Sequence, residues 1–333
     1  MAKIAIVGAS GKLGGATLSA LLAHKLAPPS DIIALTSSKP DSQTWTKLAA
    51  TGVEVRQARF EDPATFERAL EGVERFFLVS TPDIALDFGV AMDFDGTVAG
   101  EKRGRESHHK HAIDAAVKAG VKWITYSSLA FGFSPSAGAA ESSKAGVMRA
   151  HLRTEAYLRS IRAVHVTILR EGLYNESWPL YLGYFDAGNA QSERDVVSLA
   201  GDGKISWTAI HDLGVASAII LSSDAGDEEF VGKTFYLSTR AENAKTVGEI
   251  AQIVGKARGS DAQVKIVGRR EHERYYVEEQ GKPKPAVEWW ASTYEALEDG
   301  ECLVDDPMLE KLLSRVELKP IPVEETVAAM VKG

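Results

Sequence analysis

The chain has 333 residues, 44% of them apolar and 25% charged, with a formal net charge of −8; this is more than one core usually organises, so a large domain with an appended lobe, or two domains, is expected. The acidic balance and the absence of a long Lys/Arg run interleaved with aromatics exclude a nucleic-acid footprint, and no apolar stretch approaches the roughly 18 residues of a membrane span. A first strand starting at Lys3, and a single cysteine, Cys302, that can form no internal disulfide, lead us to expect a cytoplasmic protein with neither leader nor cysteine-ligated metal.

Up to about Arg170, short β-branched runs alternate with helical patterns. The strands are "KIAIVG", "DIIALT", "VEVRQA", "RFFLVS", "KWITYS" and "VHVTILR", and helices are expected near residues 12–24, 42–50, 63–70, 105–119 and 142–161. Continuous rather than alternating apolar runs mean strands buried on both faces, hence an α/β, Rossmann-type, doubly wound parallel sheet. The segment "EKRGRESHHKHAIDAAVKAG" reads as the solvated start of a helix. His108, His109 and His111 lie there at nearly metal-ligand spacing, but without a carboxylate to complete a site they read as solvated histidines and no metal is expected.

Beyond Arg170 the rhythm changes. "DVVSLAGDGKISWTAI" reads as a hairpin turning at Asp202-Gly203, and "DLGVASAIILSS" as a helix capped by Asp212. A strand "KTFYLS", a helix from Thr246, a strand "QVKIVG" and C-terminal helices follow. Residues 1–170 are therefore expected to form the dinucleotide-binding domain, and 171–333 a smaller mixed α/β substrate lobe. The two are expected to pack as one body with a cleft between them, the usual place for a small ligand. Asn175-Glu176-Ser177 matches a glycosylation sequon, which should be silent without a secretory signal.

Gly8, Gly11 and Gly14 fall between the first strand and an amphipathic helix. Their jobs are a tight turn, close backbone approach to a pyrophosphate, and contact of helix with strand, with the phosphates at the helix N-terminus. A carboxylate at the end of the second strand would bind the adenosine ribose and repel a 2′-phosphate. This strand ends instead in Leu35-Thr36-Ser37-Ser38-Lys39, hydroxyls and an ammonium that suit NADP(H), although Lys39 is equally an ordinary turn lysine.

The segments "VEVRQARFEDPATFERALEGVERFFLVSTP", "HAIDAAVKAGVKWITYSSLAFG", "HLRTEAYLRS" and "VTILREGLYNES" resemble the NmrA-like family of atypical, extended-type short-chain dehydrogenases/reductases, especially its fungal members. The resemblance implies that Gly8, Ser10, Gly11, Lys12 and Leu13 surround the pyrophosphate and that Ser38 and Lys39 approach the 2′-phosphate. Relatives often carry an adenine-binding aspartate where this chain has Arg59-Phe60; Phe60 is expected to stack on the base and Arg59 to add to phosphate recognition. Ser80, Thr81 and Pro82 should pass along the nicotinamide.

Short-chain dehydrogenases also carry Tyr-x-x-x-Lys and a serine after the fifth strand. Aligned on Glu155, His151 takes the lysine position and Val147 the tyrosine position, while Ser127 and Ser128 stand where the serine belongs. Without the tyrosine, an ordinary ketone lacks the donor its alkoxide needs, typically worth about 10²–10⁴-fold. A quinone or aromatic-conjugated enone leaves a phenolate or enolate of pKa about 10, which water can protonate. His151 is then the candidate acid or nicotinamide-ribose clamp, the alternative being a histidine that bridges backbone groups. Tyr174 could orient an aromatic substrate or simply pack.

The expected function is NADPH-dependent reduction of a small quinone, enone or aromatic carbonyl compound, with a place in fungal secondary metabolism. One alternative is an NADP(H)-binding redox sensor of the NmrA type that presents a surface to a protein partner. The other is a non-redox dehydratase or cyclase on the same fold. His211, Trp289 and Trp290 receive no role from the sequence.

Overall fold

The quartet Ile4–Val7 is buried throughout, as a strand must be when helices cover both faces of its sheet. The structure is a computed structural model that describes residues 3–81, 83, 104–134, 138–183, 196–224, 226–259 and 261–332. In chain order it contains β1 (Ile4–Val7), α1 (Lys12–Ala23), β2 (Ile32–Thr36), α2 (Gln43–Ala49), β3 (Glu54–Gln57), α3 (Pro63–Ala69), β4 (Arg75–Leu78), α4 (Arg105–Lys118) and β5 (Trp123–Leu129). The short β6 (Phe133–Ser134) and β7 (Gly138–Ala139), then α5 (Met148–Ser160), β8 (His165–Glu171), α6 (Trp178–Tyr181), β9 (Val196–Leu199), α7 (Ile210–Ser222) and β10 (Thr234–Leu237) come next. The chain ends with α8 (Val247–Arg258), β11 (Gln263–Ile266), α9 (Arg269–Arg274), α10 (Lys284–Glu298), α11 (Met308–Ser314) and α12 (Val323–Lys332).

A seven-stranded sheet runs in the order β10-β8-β5-β4-β1-β2-β3. Parallel pairing sets Ile4 of β1 opposite Ile32 of β2 and Arg75 of β4, and it continues from β2 to β3 and from β4 to β5. The strand order reverses beside β1, the crevice where ligands meet the carboxyl ends of strands in open α/β sheets. The Rossmann-type class expected from the sequence is the one observed, with β10, from beyond residue 170, as a seventh strand.

The chain divides into two compact units: Met1–Ser128, Ala150–Arg170 and Leu213–Phe235, and Leu129–Arg149, Glu171–Asp212 and Tyr236–Gly333. In the first, Val7, Leu35, Phe66, Phe76, Ile113, Ile124 and Leu158 share a buried cluster. In the second, β9 pairs in parallel with β11, and α8 opens with a capping box in which Thr246 and Glu249 satisfy each other's backbone N–H.

Three elements differ from the sequence reading. No hairpin turns at Asp202-Gly203. The Asp202 N–H donates to Glu298 Oε1 (2.5 Å) and its carboxylate accepts from the Gly248 N–H (2.7 Å), so this dipeptide docks onto α10 and the first turn of α8. Asp212 lies inside α7 rather than capping it: its carboxylate accepts from the Ile321 N–H (2.6 Å), while Glu176 accepts from the Ile210 N–H at 3.2 Å. The helix expected over 142–161 starts only at Met148. Ahead of it, the Glu301 carboxylate accepts from the Ser143 hydroxyl (2.5 Å), the Lys144 N–H (2.9 Å) and the Gly132 N–H (2.9 Å), which ties that stretch down outside the helix. The sequon asparagine is also structural, because the buried Asn175 amide donates to Ile321 O (3.2 Å) and Thr326 Oγ1 (3.0 Å).

Candidate functional site

After β1 the backbone turns at Gly8, whose φ of +65° suits glycine, and the Gly11 N–H donates to Gly8 O at 2.7 Å. α1 begins there with no side-chain cap and no acidic residue in its first turn. Its first N–H groups have no intrahelical acceptor, and together with the helix dipole they form an anion seat. A Cβ on Gly14 would stand 2.3 Å from Gly8 O and 2.7 Å from Gly8 C, so this glycine is what lets the helix press on the turn. Ser10, Gly11 and Lys12 are exposed while Leu13 and Gly14 are buried. These residues fit the pyrophosphate of a dinucleotide.

Thr36 ends β2 opposite Gln57 of β3, so the turns carrying Lys39 and Arg59 leave the sheet side by side. The first is fixed by the Ser38 N–H donating to Thr36 Oγ1 (3.2 Å) and by the Gln57 amide donating to the carbonyls of Ser37 and Ser38 (both 3.3 Å). Lys39 and Arg59 are both exposed and Ser38 is half-buried. Phe60 stacks on His108 (centroids 5.3 Å apart, planes at 13°) and packs on Phe66. Its ring therefore belongs to the protein's own aromatic packing.

The start of α4 is not solvated. Arg105, Glu106, Ser107, His108 and His109 are all buried, and the side chains of Arg105, Glu106, His108 and His109 find partners on β5, on α5 and in the stretch that follows β4. Arg105 Nη1 lies 2.8 Å from His151 Nε2, whose Nδ1 lies 2.9 Å from the Tyr126 hydroxyl. A guanidinium only donates, so Nε2 of His151 must accept and the ring proton must sit on Nδ1, donating to Tyr126. A second proton would set donor against donor. Burial, reinforced by Arg105, accordingly holds the His151 pKa well below its ordinary value.

His109 is fixed in the same way. The Thr81 N–H donates to its Nε2 (3.2 Å), the Ser80 hydroxyl lies 3.2 Å from that nitrogen, and its Nδ1 meets Thr154 Oγ1 at 2.9 Å. Burial again pushes its pKa well down. Thr81 also meets His108 Nδ1 (3.3 Å), so both its N–H and its hydroxyl are engaged. Pro82 lies outside the described residues. Ser128 donates to Glu155 Oε1 (2.6 Å), and Glu155, fully buried, is gripped from the other side by Arg170 (3.0 and 2.8 Å). Ser127 is buried one residue earlier on β5. Among the described residues no group of three His, Cys, Asp or Glu could hold a metal.

The second unit contains a hollow of about 160 Å³ lined by Leu129, Val147, Leu173, Tyr174, Tyr181 and Trp289, with Trp290 and Thr293 among the other contacts. Among the described residues, no Asp, Glu, His, Lys or Arg lines it. Tyr174 contributes its ring, while its hydroxyl donates to Glu171 Oε2 (3.0 Å). Leu129 is the last residue of β5 and Gly172 follows β8 directly, so the hollow draws residues from the carboxyl ends of two strands. His211 is exposed and pairs with Asp212 (3.0 Å).

The family model described as the NmrA-like family matches residues 1–283. The chain belongs to the NmrA-like family. The NmrA-like family domain-containing oxidoreductase flvB of Aspergillus flavus is 30% identical over 328 residues, 97% of this chain and 92% of that protein. Among solved structures, the NADPH complex of the NADPH-dependent quinone oxidoreductase QOR2 of Escherichia coli has a TM-score of 0.74 at 26% identity, covering 98% of this chain and 99% of the other. Citrobacter sp. triphenylmethane reductase complexed with NADP(H) has a TM-score of 0.72 at 27% identity, covering 98% and 99%.

In this NmrA-like chain the two positions of the absent Tyr-x-x-x-Lys pair have different environments. Val147 is a wall of the hollow, and His151 is buried with both ring nitrogens engaged. Sequence reasoning passed over Arg105, Tyr126 and Thr154, whose spacing carries no motif, read His109 as solvated, and left Trp289 and Trp290 without a role. The adjacent tryptophans at the start of an amphipathic helix were the available signal.

Proposed function

We propose that this chain is an NADPH-dependent oxidoreductase that reduces a small conjugated acceptor, a quinone, an enone or an aromatic carbonyl compound. The observation that carries the reading is the hollow, which combines an aromatic wall with a lining that, among the described residues, holds no Asp, Glu, His, Lys or Arg. NADPH, when bound, supplies the hydride. The uncapped N-terminus of α1 would hold its pyrophosphate, and Lys39 and Arg59, on adjacent turns, would meet the 2′-phosphate. The NADPH and NADP(H) complexes of the quinone oxidoreductase and the triphenylmethane reductase support this cofactor.

The remaining chemistry concerns the proton. An alkoxide from a simple ketone would need a donor at the reacting oxygen. Tyr174 turns its hydroxyl proton to Glu171, and His151 and His109 are held neutral within the buried network. Hydride addition to a quinone or enone breaks only a π bond and leaves a phenolate or enolate, whose conjugate acid has a pKa of about 10 and which takes its proton from water, so the chain's task reduces to orienting a flat acceptor. We accordingly assign His151 to positioning: it holds Arg105 and Tyr126, and with them the packing of α4, α5 and β5.

The test is NADPH consumption against a panel of quinones, enones, aryl ketones and simple dialkyl ketones, preceded by titration of the four nicotinamide nucleotides. Turnover of conjugated members with none of the dialkyl ketones is expected. Turnover of dialkyl ketones at comparable kcat/KM, or tight NADPH binding with no acceptor consumed, would overturn the reading, and the latter would favour a sensor.

A further inference from the structure

Gly146 stands where no side chain fits. A Cβ there would lie 2.8 Å from Trp289 Cδ1 and 3.2 Å from Ser292 Oγ. Its N–H donates to Ser292 Oγ (2.8 Å), and that hydroxyl donates in turn to Trp289 O (2.5 Å). The backbone at Gly146 is thus laid directly on the first turns of α10. From the other side, Glu301 holds Ser143 and Lys144, and Lys144 Nζ pairs with Asp299 at 2.5 Å. Val147 and Trp289, two walls of the hollow, are therefore locked to each other across one glycine, and neither can retreat without breaking a contact.

The space they leave is about 160 Å³, close to the roughly 150 Å³ apolar cavity that accepts a single benzene. We propose that Gly146 and Trp289 form a size gauge that restricts this site to acceptors presenting one unfused conjugated ring, of the para-benzoquinone kind, and turns away fused two-ring quinones. The inference rests on the reductase reading above and adds the dimension of its substrate.

The experiment compares kcat/KM for methyl-para-benzoquinone and menadione, and in parallel the binding of phenol and naphthol, which cannot accept hydride, by equilibrium dialysis. Wild type should favour the single ring by about tenfold or more, the scale on which an apolar pocket rejects excess bulk. Trp289→Ala should erase or reverse that preference. Gly146→Ala should lower kcat/KM for the benzoquinone about tenfold with the NADPH Kd unchanged, and adding Trp289→Ala to it should restore the loss because the clashing indole is gone. An unchanged selectivity ratio in Trp289→Ala, or wild-type behaviour of Gly146→Ala, overturns the gauge while leaving the reductase reading intact. If neither quinone is consumed, the reductase reading falls and the dialysis decides the gauge: a phenol preference lost in Trp289→Ala sustains it, and equal phenol and naphthol binding by wild type overturns it.

Discussion

Gly14 and Gly15 are neighbours in α1, yet alanine should act on them with opposite sign. At Gly14 the new methyl would stand 2.3 Å from Gly8 O, 2.7 Å from Gly8 C and 3.0 Å from Val7 O, all backbone atoms that cannot rotate aside. Overpacking typically costs about 1–3 kcal/mol, and a rigid backbone neighbour places this case near 3 kcal/mol. The only relief is to move the turn away from the helix, which displaces the N–H groups of the anion seat, so NADPH should bind at least about tenfold more weakly. At Gly15 the methyl would meet Ala9 O at 3.4 Å, an ordinary contact. There, alanine in a helix should gain about 0.5–1 kcal/mol with little change in NADPH affinity. Urea unfolding followed by circular dichroism gives the first quantity and fluorescence titration of NADPH the second. A Gly14→Ala variant with wild-type stability and wild-type NADPH affinity would refute the reasoning for the whole loop.

Lys39→Glu should narrow or reverse a preference for NADPH over NADH, because it sets a carboxylate against the 2′-phosphate; titrations at matched ionic strength that show equal preference in parent and variant would remove Lys39 from the site. His151→Phe takes the acceptor from Arg105 Nη1 inside the fold and should cost about 2–4 kcal/mol in unfolding experiments, whereas a catalytic acid would lose turnover at undiminished stability. Burial holds His109 and His151 well below their ordinary pKa and His272 at about 4. In the unfolded chain these rings titrate near about 6.5, so below that pH it takes up protons the folded chain refuses. Stability should therefore be level above about pH 6.5 on their account and fall as pH drops toward the folded values. Asp212, raised by burial, softens the fall at the acid end. Tyr174→Phe should leave kcat within about threefold, since its hydroxyl already serves Glu171; a much larger loss would make Tyr174 the proton donor.

The sheet and the glycine turn ahead of α1 were legible because they rest on local signals: buried apolar runs for β1, β2, β4 and β5, and three glycines whose spacing imposes a turn. The second unit was harder to read for a physical reason. Asp202-Gly203 and Asp212 carry turn and cap chemistry, but their carboxylates and backbone bind residues 46 to 109 positions away, to Gly248, Glu298 and Ile321. His108 and His109 look like solvent-facing polar residues until α5 and β4 bring Thr154, Thr81 and Ser80 to them. In each case the sequence displays the functional group correctly and conceals only its distant partner.

The central claim, hydride transfer from NADPH to a conjugated acceptor, is tested most directly with NADPH deuterated in turn on each face of its transferring carbon, using methyl-para-benzoquinone as acceptor. The account predicts that one deuterated form slows single-turnover oxidation by a primary isotope effect and loses its label, while the other reacts at the ordinary rate and keeps its label in NADP⁺. Oxidation that shows no face preference, or no oxidation at saturating NADPH, would contradict it.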